Sequence, residues 1–281
     1  MFRFAASVLV LLSVLAPAAA QTPPATTPPA AQTTQQAKPV ARKAAPKPQA
    51  PAKPAEPAST GPCGIGVIAA TQDLFVVQKI GLTVFGNDYA EVPVSWGLDD
   101  LTFARVRAAA GTIPVRRIPY AKGAFDSYYH PKGGLFRNRR DELSNLVRQV
   151  AGNAGCERYV VVMRNEGQLD GTNQTLSGVG IFSRGVGLIS YAYVFVYVGV
   201  IVVDGQTFEI RKGPAVTFEG VMKHLADNFV DNEFLRKVDK SMFPETAADA
   251  ANSTALRDTT REFLTKRLDK ILPAYFAREA R

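Results

Sequence analysis

The run from Ile189 to Val203 constrains the fold more than any other part of the sequence, because it is long, apolar and strictly alternating. One parity is almost entirely alanine and valine, and the other carries the aromatic side chains of Tyr191, Tyr193, Phe195 and Tyr197. A period of two is the period of a β-strand, and Val and Tyr favour strand over helix. Because neither parity is polar, we predict a central strand that is buried on both faces. A membrane-inserted β-hairpin is the alternative interpretation of so apolar a segment.

Strand-like and helix-like segments alternate through the rest of residues 63–281. The predicted strands lie at 64–71, 74–85, 89–95, 113–118, 156–163, 177–184 and 206–211, and the predicted helices at 98–110, 141–151, 219–230 and 252–272. Prolines confine the strand at 113–118 to a sheet edge, and Pro273 is expected to end the last helix. The alternation predicts a single domain of the α+β (mixed α/β) class, with a mixed, largely antiparallel sheet and helices packed on it.

Residues 1–62 have the composition of a leader and a tail rather than of a folded domain. Arg3, a short apolar run and the small residues up to Ala20 follow the order of a secretory signal peptide, which predicts cleavage near Ala20 and a periplasmic or secreted protein. Residues 21–62 are rich in Pro, Ala and Lys and cannot bury a core, so we predict a disordered linker. The alternative is an uncleaved anchor followed by a Pro-rich periplasmic spacer, although a membrane span needs roughly 20 apolar residues.

The formal net charge of +8 is distributed unevenly. The predicted linker holds five basic residues against Glu56 alone, so the high isoelectric point is largely a property of the linker. The high isoelectric point does not by itself indicate a nucleic-acid partner, and the predicted compartment argues against one.

The chain has two cysteines, Cys63 and Cys156, and each one opens an apolar strand-like run. If these runs are neighbouring parallel strands, both cysteines lie at the same end of the sheet, within bonding range. In an exported protein this arrangement predicts a disulfide. Two buried free thiols or one reactive thiol are the alternatives. The cysteines have no histidines near them, so we expect no metal site, and no motif indicates a cofactor.

The sequence at 200–210, behind the tyrosine-rich run, is similar to the long hairpin of exported bacterial envelope domains of the curli-secretion and TolB N-terminal type. The order of elements before it is also similar, and the whole chain resembles uncharacterised secreted proteobacterial proteins. The resemblance implies a periplasmic accessory or scaffold role and transfers no catalytic residue. The chain lacks the lipidation cysteine of the curli-secretion proteins, so the resemblance does not imply a lipid anchor.

No catalytic constellation is recognisable. The two histidines, His130 and His224, are not part of a zinc-protease motif, and the surroundings of Ser183 lack the first glycine of a nucleophile elbow. Glu166 and Asp170 are the candidate carboxylate pair for the alternative function, an envelope hydrolase with an unrecognised site. A non-enzymatic protein is the favoured interpretation.

Residues 116–140 concentrate positive charge and aromatic side chains, with Asp126 as the only acidic residue. Arginine binds carboxylates and phosphates bidentately, and aromatic faces pack on sugars and other apolar surfaces. We therefore expect this segment to contact an anionic envelope component, namely cell-wall glycopeptide, lipid phosphate at the membrane surface or an acidic protein surface. The alternative is a solvated loop whose aromatic side chains cover the sheet edge. The candidate binding residues are Arg116, Arg117, Tyr120, Lys122, Tyr128, Tyr129, Lys132, Phe136, Arg137, Arg139 and Arg140.

Overall fold

The computed structural model describes residues 61–81, 86–131, 137–169, 172, 174–186, 189–213 and 233–276. The predicted signal peptide, nearly all of the predicted linker and the predicted helix at 219–230 lie outside these residues.

The described residues form strands and helices in mixed order. The strands are β1 (Cys63–Ala70), β2 (Leu74–Ile80), β3 (Asp88–Pro93), β4 (Val115–Arg117), β5 (Cys156–Arg164), β6 (Glu166–Gln168), β7 (Thr175–Val186), β8 (Ile189–Asp204) and β9 (Leu235–Val238). The α-helices are α1 (Leu98–Ala109), α2 (Asp126–Tyr129), α3 (Arg139–Ala151) and α4 (Thr254–Phe276), and two short 3-10 helices cover Lys240–Met242 and Ala247–Asn252. The predicted class, a mixed sheet with helices, is confirmed.

The strands form a single sheet in the order β3-β2-β7-β8-β5-β1-β4, with β6 paired to β7 and β9 to β8. Strands β4, β1 and β5 are mutually parallel, as are β2 and β7, and the other pairs are antiparallel. Residues 198–204 of β8 pair with β5, and residues 189–197 pair with β7. The predicted central strand is therefore confirmed, and it joins two halves of the sheet.

Strands β5 and β7 follow one another along the same edge of β8. The Asn165 N–H donates to the Tyr197 carbonyl at 2.9 Å, and the Gly178 N–H donates to the Asn165 carbonyl at 3.0 Å. Strands β1 and β2 run beside them in the same way, joined only by residues 71–73. We call this junction of the two halves, formed by residues 71–73, Asn165 and Gly178, the waist.

The waist holds two residues in the left-handed backbone region, Gln72 at φ 62° and Gly178 at φ 72°. Glycine is required at 178 for a second reason, because a Cβ there would lie 2.8 Å from Nε of Arg164. The arginine side chain therefore packs directly on the glycine backbone.

The two parities of β8 enter different cores, as their compositions predict. The aliphatic parity packs against α4 residues Leu256, Leu264, Leu268 and Leu272. The aromatic parity packs with Phe182 and Leu176 in the half that contains β7. The prediction of burial on both faces fails at the beginning of the strand, where the Tyr191 side chain is 45% exposed. The row of aromatic side chains on β8 therefore extends beyond the buried part of the strand.

Cys63 faces Cys156 in the parallel register of β1 and β5, and the two residues form a disulfide with their Cα atoms 4.5 Å apart. The predicted disulfide is confirmed, and the free-thiol alternatives are excluded for this pair. The bond closes a separation of 93 residues, which in the chain-entropy model stabilises the fold by about 4 to 5 kcal/mol.

Two predictions are wrong: the strand at 206–211 and the end of the last helix at Pro273. The segment at 206–211 is not a strand, because Phe208 adopts a left-handed φ of 61° and only the Val203–Ile210 bridge pairs the returning chain. Pro273 does not end the last helix, since α4 continues to Phe276. A proline removes one hydrogen bond but keeps a helical φ, and packing of Tyr275 and Phe276 against the core offsets that loss.

Helix α3 begins two residues before its predicted start, because the Asn138 side chain caps it by accepting from the N–H groups of Arg140 and Asp141. Strand β4 is an edge strand, as predicted. Within the described ranges, no helix has the length and apolar character needed to cross a membrane.

Replacing both cysteines, as in C63A/C156A, is expected to lower the free energy of unfolding by about 2 to 5 kcal/mol, because the unfolded chain regains the entropy that the crosslink removes. Urea denaturation of the oxidised protein and of this variant measures the difference. A reducing agent should destabilise the wild type and leave the double variant unchanged. Equal urea midpoints for the wild type and the variant would contradict a stabilising crosslink.

Candidate functional site

Most of the described part of the basic-aromatic segment (residues 116–140) packs around one buried side chain, that of Phe125. Phe125 is fully buried and contacts the rings of Tyr120 and Tyr129, with centroids 5.4 and 6.5 Å away. It directly precedes the single turn of α2. The segment is therefore anchored against the face of the sheet on which α3 packs.

Tyr120 belongs to a hydrogen-bond network at the waist. Its hydroxyl donates to Oδ2 of Asp99 at 2.5 Å. Oδ1 of Asp99 accepts from the Thr71 hydroxyl at 2.6 Å and from the Gln72 N–H at 2.9 Å. Burial raises the pKa of Tyr120, and the charge and hydrogen bond of Asp99 raise it further. Tyr120 is thus a neutral donor that ties the segment to the first turn of α1.

Asp73 caps the same helix from the waist. Its Oδ1 accepts from the Leu98 N–H at 2.9 Å. Burial raises the pKa of Asp73, and the Leu98 hydrogen bond opposes this effect. The charges of Asp99 and Asp100 raise it further, while Arg261 lowers it. The beginning of α1 is therefore fixed by two carboxylates that accept from backbone N–H groups.

Tyr129 contacts a second network, centred on Arg164. The Tyr129 hydroxyl accepts from the Arg164 N–H at 3.1 Å, and the Arg164 guanidinium lies 5.5 Å from the centroid of the tyrosine ring. Nη2 of Arg164 pairs with Oε1 of Glu91 at 2.5 Å, and that oxygen also accepts from the Tyr89 hydroxyl at 2.8 Å. Burial raises the pKa of Tyr129, and partial burial together with Glu91 raises the pKa of Tyr89 to about 12.

Two of the candidate arginines near β4 are held by the protein itself. Arg116 donates to the carbonyls of Ala154 at 2.9 Å and Gly61 at 2.5 Å. Arg117 pairs with Asp100 at 2.5 Å, and its guanidinium lies 4.5 Å from the centroid of the Phe103 ring. Both side chains connect the edge strand to its neighbours.

Two more candidate arginines, at the beginning of α3, also have internal partners. Arg137 forms an ion pair with Glu142 and donates to the Tyr128 carbonyl at 2.8 Å. Arg140 donates to the carbonyl of Ile210. These contacts give both side chains a structural role, and their part in binding remains a prediction.

Tyr128 is the centre of what we call the cation-ring surface, formed by Tyr128, Arg137 and Arg139; Lys122 is a further cation of the same segment. The guanidinium carbons of Arg137 and Arg139 lie 5.5 and 5.2 Å from the centroid of the Tyr128 ring. Arg139 and Lys122 are exposed. Neither has an acidic partner in the part of the chain that the structure describes. The surface therefore presents uncompensated positive charge beside an aromatic ring.

The remaining candidates divide between exposed positions and positions that are not described. Lys132 and Phe136 lie outside the described residues, and so do His224 and Asp170, of which only Asp170 belongs to the hydrolase alternative. Glu166 is exposed in β6 and faces Ser177 of β7. Among the residues that the structure describes, no cluster of three or more His, Cys, Asp or Glu side chains could hold a metal ion.

Sequence reasoning missed the attachment of α3 to the turn after β8. Arg140, Ser144 and Arg148 donate to the carbonyls of Ile210, Phe208 and Thr207 in turn. The Phe208 ring stacks on Tyr159, with centroids 5.7 Å apart. The spacing i, i+4, i+8 of three donors on one helix face was the available signal. The three hydrogen bonds fix α3, which begins at the cation-ring surface.

Replacing Glu91 by Gln is expected to lower the free energy of unfolding by about 2 kcal/mol at pH 7, because it leaves the buried Arg164 charge uncompensated. Burial alone would raise the pKa of Glu91, but Arg164 and Tyr89 hold it below the ordinary value of 4.5. The stability that the ionised carboxylate provides is therefore present above pH 4.5 and is lost as pH falls through the lower folded-state pKa.

Urea denaturation at pH 7 and at pH 3 measures this dependence. The difference between E91Q and the wild type should shrink in acid. E245Q, at an exposed glutamate, is the matched control and should behave as the wild type does at both pH values. A difference of the same size at both pH values would show that the Glu91 charge is irrelevant.

Comparison with known proteins gives no functional assignment. No protein-family model matches the chain, and no curated protein matches it in sequence. A solved structure of a hypothetical protein from Chlamydia trachomatis aligns with 75% of this chain and 98% of its own length, at 7% sequence identity and a TM-score of 0.25. A similarity at this level carries no conclusion about fold or function.

Proposed function

We propose that this chain is an exported, non-enzymatic binding or scaffold protein of the bacterial envelope, and that it contacts an anionic partner through the cation-ring surface. The observation that carries the proposal is the placement of two guanidinium groups, those of Arg137 and Arg139, over the single ring of Tyr128. Glu142 and the Tyr128 carbonyl engage the Arg137 guanidinium. The Arg139 guanidinium, held over the same ring, is therefore the one whose hydrogen-bond donors can meet a carboxylate or phosphate.

Charge at the beginning of α3 supports an anionic partner. Arg139 and Arg140 occupy the first turn of this helix, where the helix dipole disfavours cations. Asp141 and Glu142 follow directly, and Glu142 is engaged by Arg137. Lys122 adds a further exposed cation without an acidic partner in the described part of the chain. A bound anion would offset the charges of Arg139 and Lys122, which have no acidic partner among the described residues.

The predicted export has independent support in the chemistry of the cysteines. Disulfides form and persist in oxidising compartments and are rare in the cytosol. The Cys63–Cys156 bond is therefore in keeping with the signal-like sequence at residues 1–20, and a periplasmic location is part of the proposal.

The test reverses only the cations that the fold does not use. In the full-length protein, K122E/R139E changes two exposed side chains, whereas reversal of Arg137 or Arg140 would also break contacts to Glu142 or Ile210. K212E/K240E is the matched control, with the same charge change at two exposed lysines elsewhere. Surface substitutions of this kind change stability by about 0.5 kcal/mol or less, so all three proteins should melt together.

Crosslinking capture from native cell envelopes, followed by titration of the captured component, gives the measurement. We expect K122E/R139E to weaken binding by about tenfold or more, and the control to bind as the wild type does. Equal capture by both double variants would refute a role for the cation-ring surface.

A further inference from the structure

A second cluster of cations around an aromatic ring lies at the other end of β8. Tyr191 pairs across the strands with Arg184 of β7, and Nζ of Lys237 in β9 lies 4.6 Å from the centroid of the Tyr191 ring. We call Arg184, Tyr191 and Lys237 the far patch. None of its members belongs to the basic-aromatic segment at 116–140.

The register places the three side chains of the far patch on one face of the sheet. Arg184 is directly opposite Tyr191, and Lys237 is directly opposite Tyr193, which has the same parity as Tyr191. Residues directly opposite in antiparallel strands point to the same face. Two strand spacings separate β7 from β9, so the two cations flank the tyrosine ring over roughly 10 Å.

Folding explains the rest of this aromatic row but not its end. Phe182, Phe195 and Tyr197 are 5% exposed or less, whereas Tyr191 is 45% exposed. Arg184 and Lys237 are both exposed, and no ion pair joins either one to an acidic residue within the described ranges. The far patch thus holds two uncompensated charges around a ring that the core does not cover.

We propose that the far patch binds an acidic polysaccharide. A sugar ring offers a C–H face that packs on an exposed aromatic ring, and its carboxylates can meet a cation on either side of that ring. A lipid surface is the less suitable occupant, because it would require several exposed apolar side chains. Among the described residues, only Tyr89 and Tyr191 are large hydrophobic side chains that are exposed.

The far patch is physically separate from the cation-ring surface. Tyr129, next to that surface, contacts Arg164, and Arg164 pairs with Val198 of β8. Tyr191 lies seven residues before Val198, which corresponds to roughly 23 Å along an extended strand. The two surfaces can therefore be removed independently, and the proposed function does not depend on the far patch.

The test measures binding of the full-length protein to polygalacturonate at about 0.15 M salt, the physiological ionic strength. Dextran is the uncharged control polysaccharide. K237Q and Y191A remove one cation and the ring of the far patch. K79Q is the matched control, because Lys79 is exposed near the same end of the sheet, and its pairing with Ser183 places it on the opposite face.

We expect Y191A to weaken polygalacturonate binding about tenfold and K237Q about three- to fivefold, with K79Q unchanged and dextran not bound. K122E/R139E should keep its affinity for polygalacturonate, even if it loses its envelope partner. Thermal melting confirms that each variant is folded, and K237Q tests the charge alone.

Four results would overturn the inference: no binding by the wild type, equal weakening by K79Q and K237Q, dextran binding as tight as polygalacturonate binding, or loss of binding only in K122E/R139E. Binding to vesicles of phosphatidylglycerol and phosphatidylcholine that depends on Tyr191, without polysaccharide binding, would also overturn it and assign the far patch to a lipid surface.

Discussion

The unbroken backbone of β8 is the constraint on which the rest of the structure depends. Its residues 198–204 bond to β5 and residues 189–197 to β7, so a single strand holds both halves of the sheet in register. A slip of one residue would exchange its aliphatic and aromatic faces, and both cores would receive side chains of the wrong size. The strict alternation of the sequence is what prevents that slip.

At the waist, backbone N–H groups lie outside the regular ladder of the sheet, and charged side chains provide their hydrogen-bond partners. Asp99 accepts from the Gln72 N–H between β1 and β2, and Asp73 accepts from the Leu98 N–H at the beginning of α1. Arg164 packs on Gly178 where a side chain would not fit. A buried donor left without an acceptor would cost more than such a hydrogen bond contributes. The networks at the waist are therefore part of the architecture, which explains why their tyrosines are neutral donors or acceptors with raised pKa values.

The features that the sequence predicted correctly are those determined by local patterns. Period-two alternation identified β8, and the two strand-opening cysteines identified the disulfide and the parallel pairing of β1 and β5. The amphipathic stripe identified α3. The partners of Arg164 could not be predicted in the same way, because Glu91 is 73 residues away and reaches it only through the order of the strands.

The same limit applies to the candidate site. The sequence identified a segment rich in positive charge, but the internal partners of Arg116, Arg117 and Arg140 depend on elements distant in the chain. The far patch was missed for a related reason: Arg184 and Lys237 are unremarkable in sequence and meet Tyr191 only through strand pairing.

The position of the disulfide also has a mechanical consequence. Cys63 is two residues after Gly61, where the described part of the chain begins, and Arg116 holds the carbonyl of Gly61. A pulling force applied through the preceding residues reaches the covalent bond to Cys156 before it reaches the ladder of β1. The load then passes into β5 at the same level of the sheet. Tension on the chain before Cys63 is therefore shared between β1 and β5 and does not act on β1 alone.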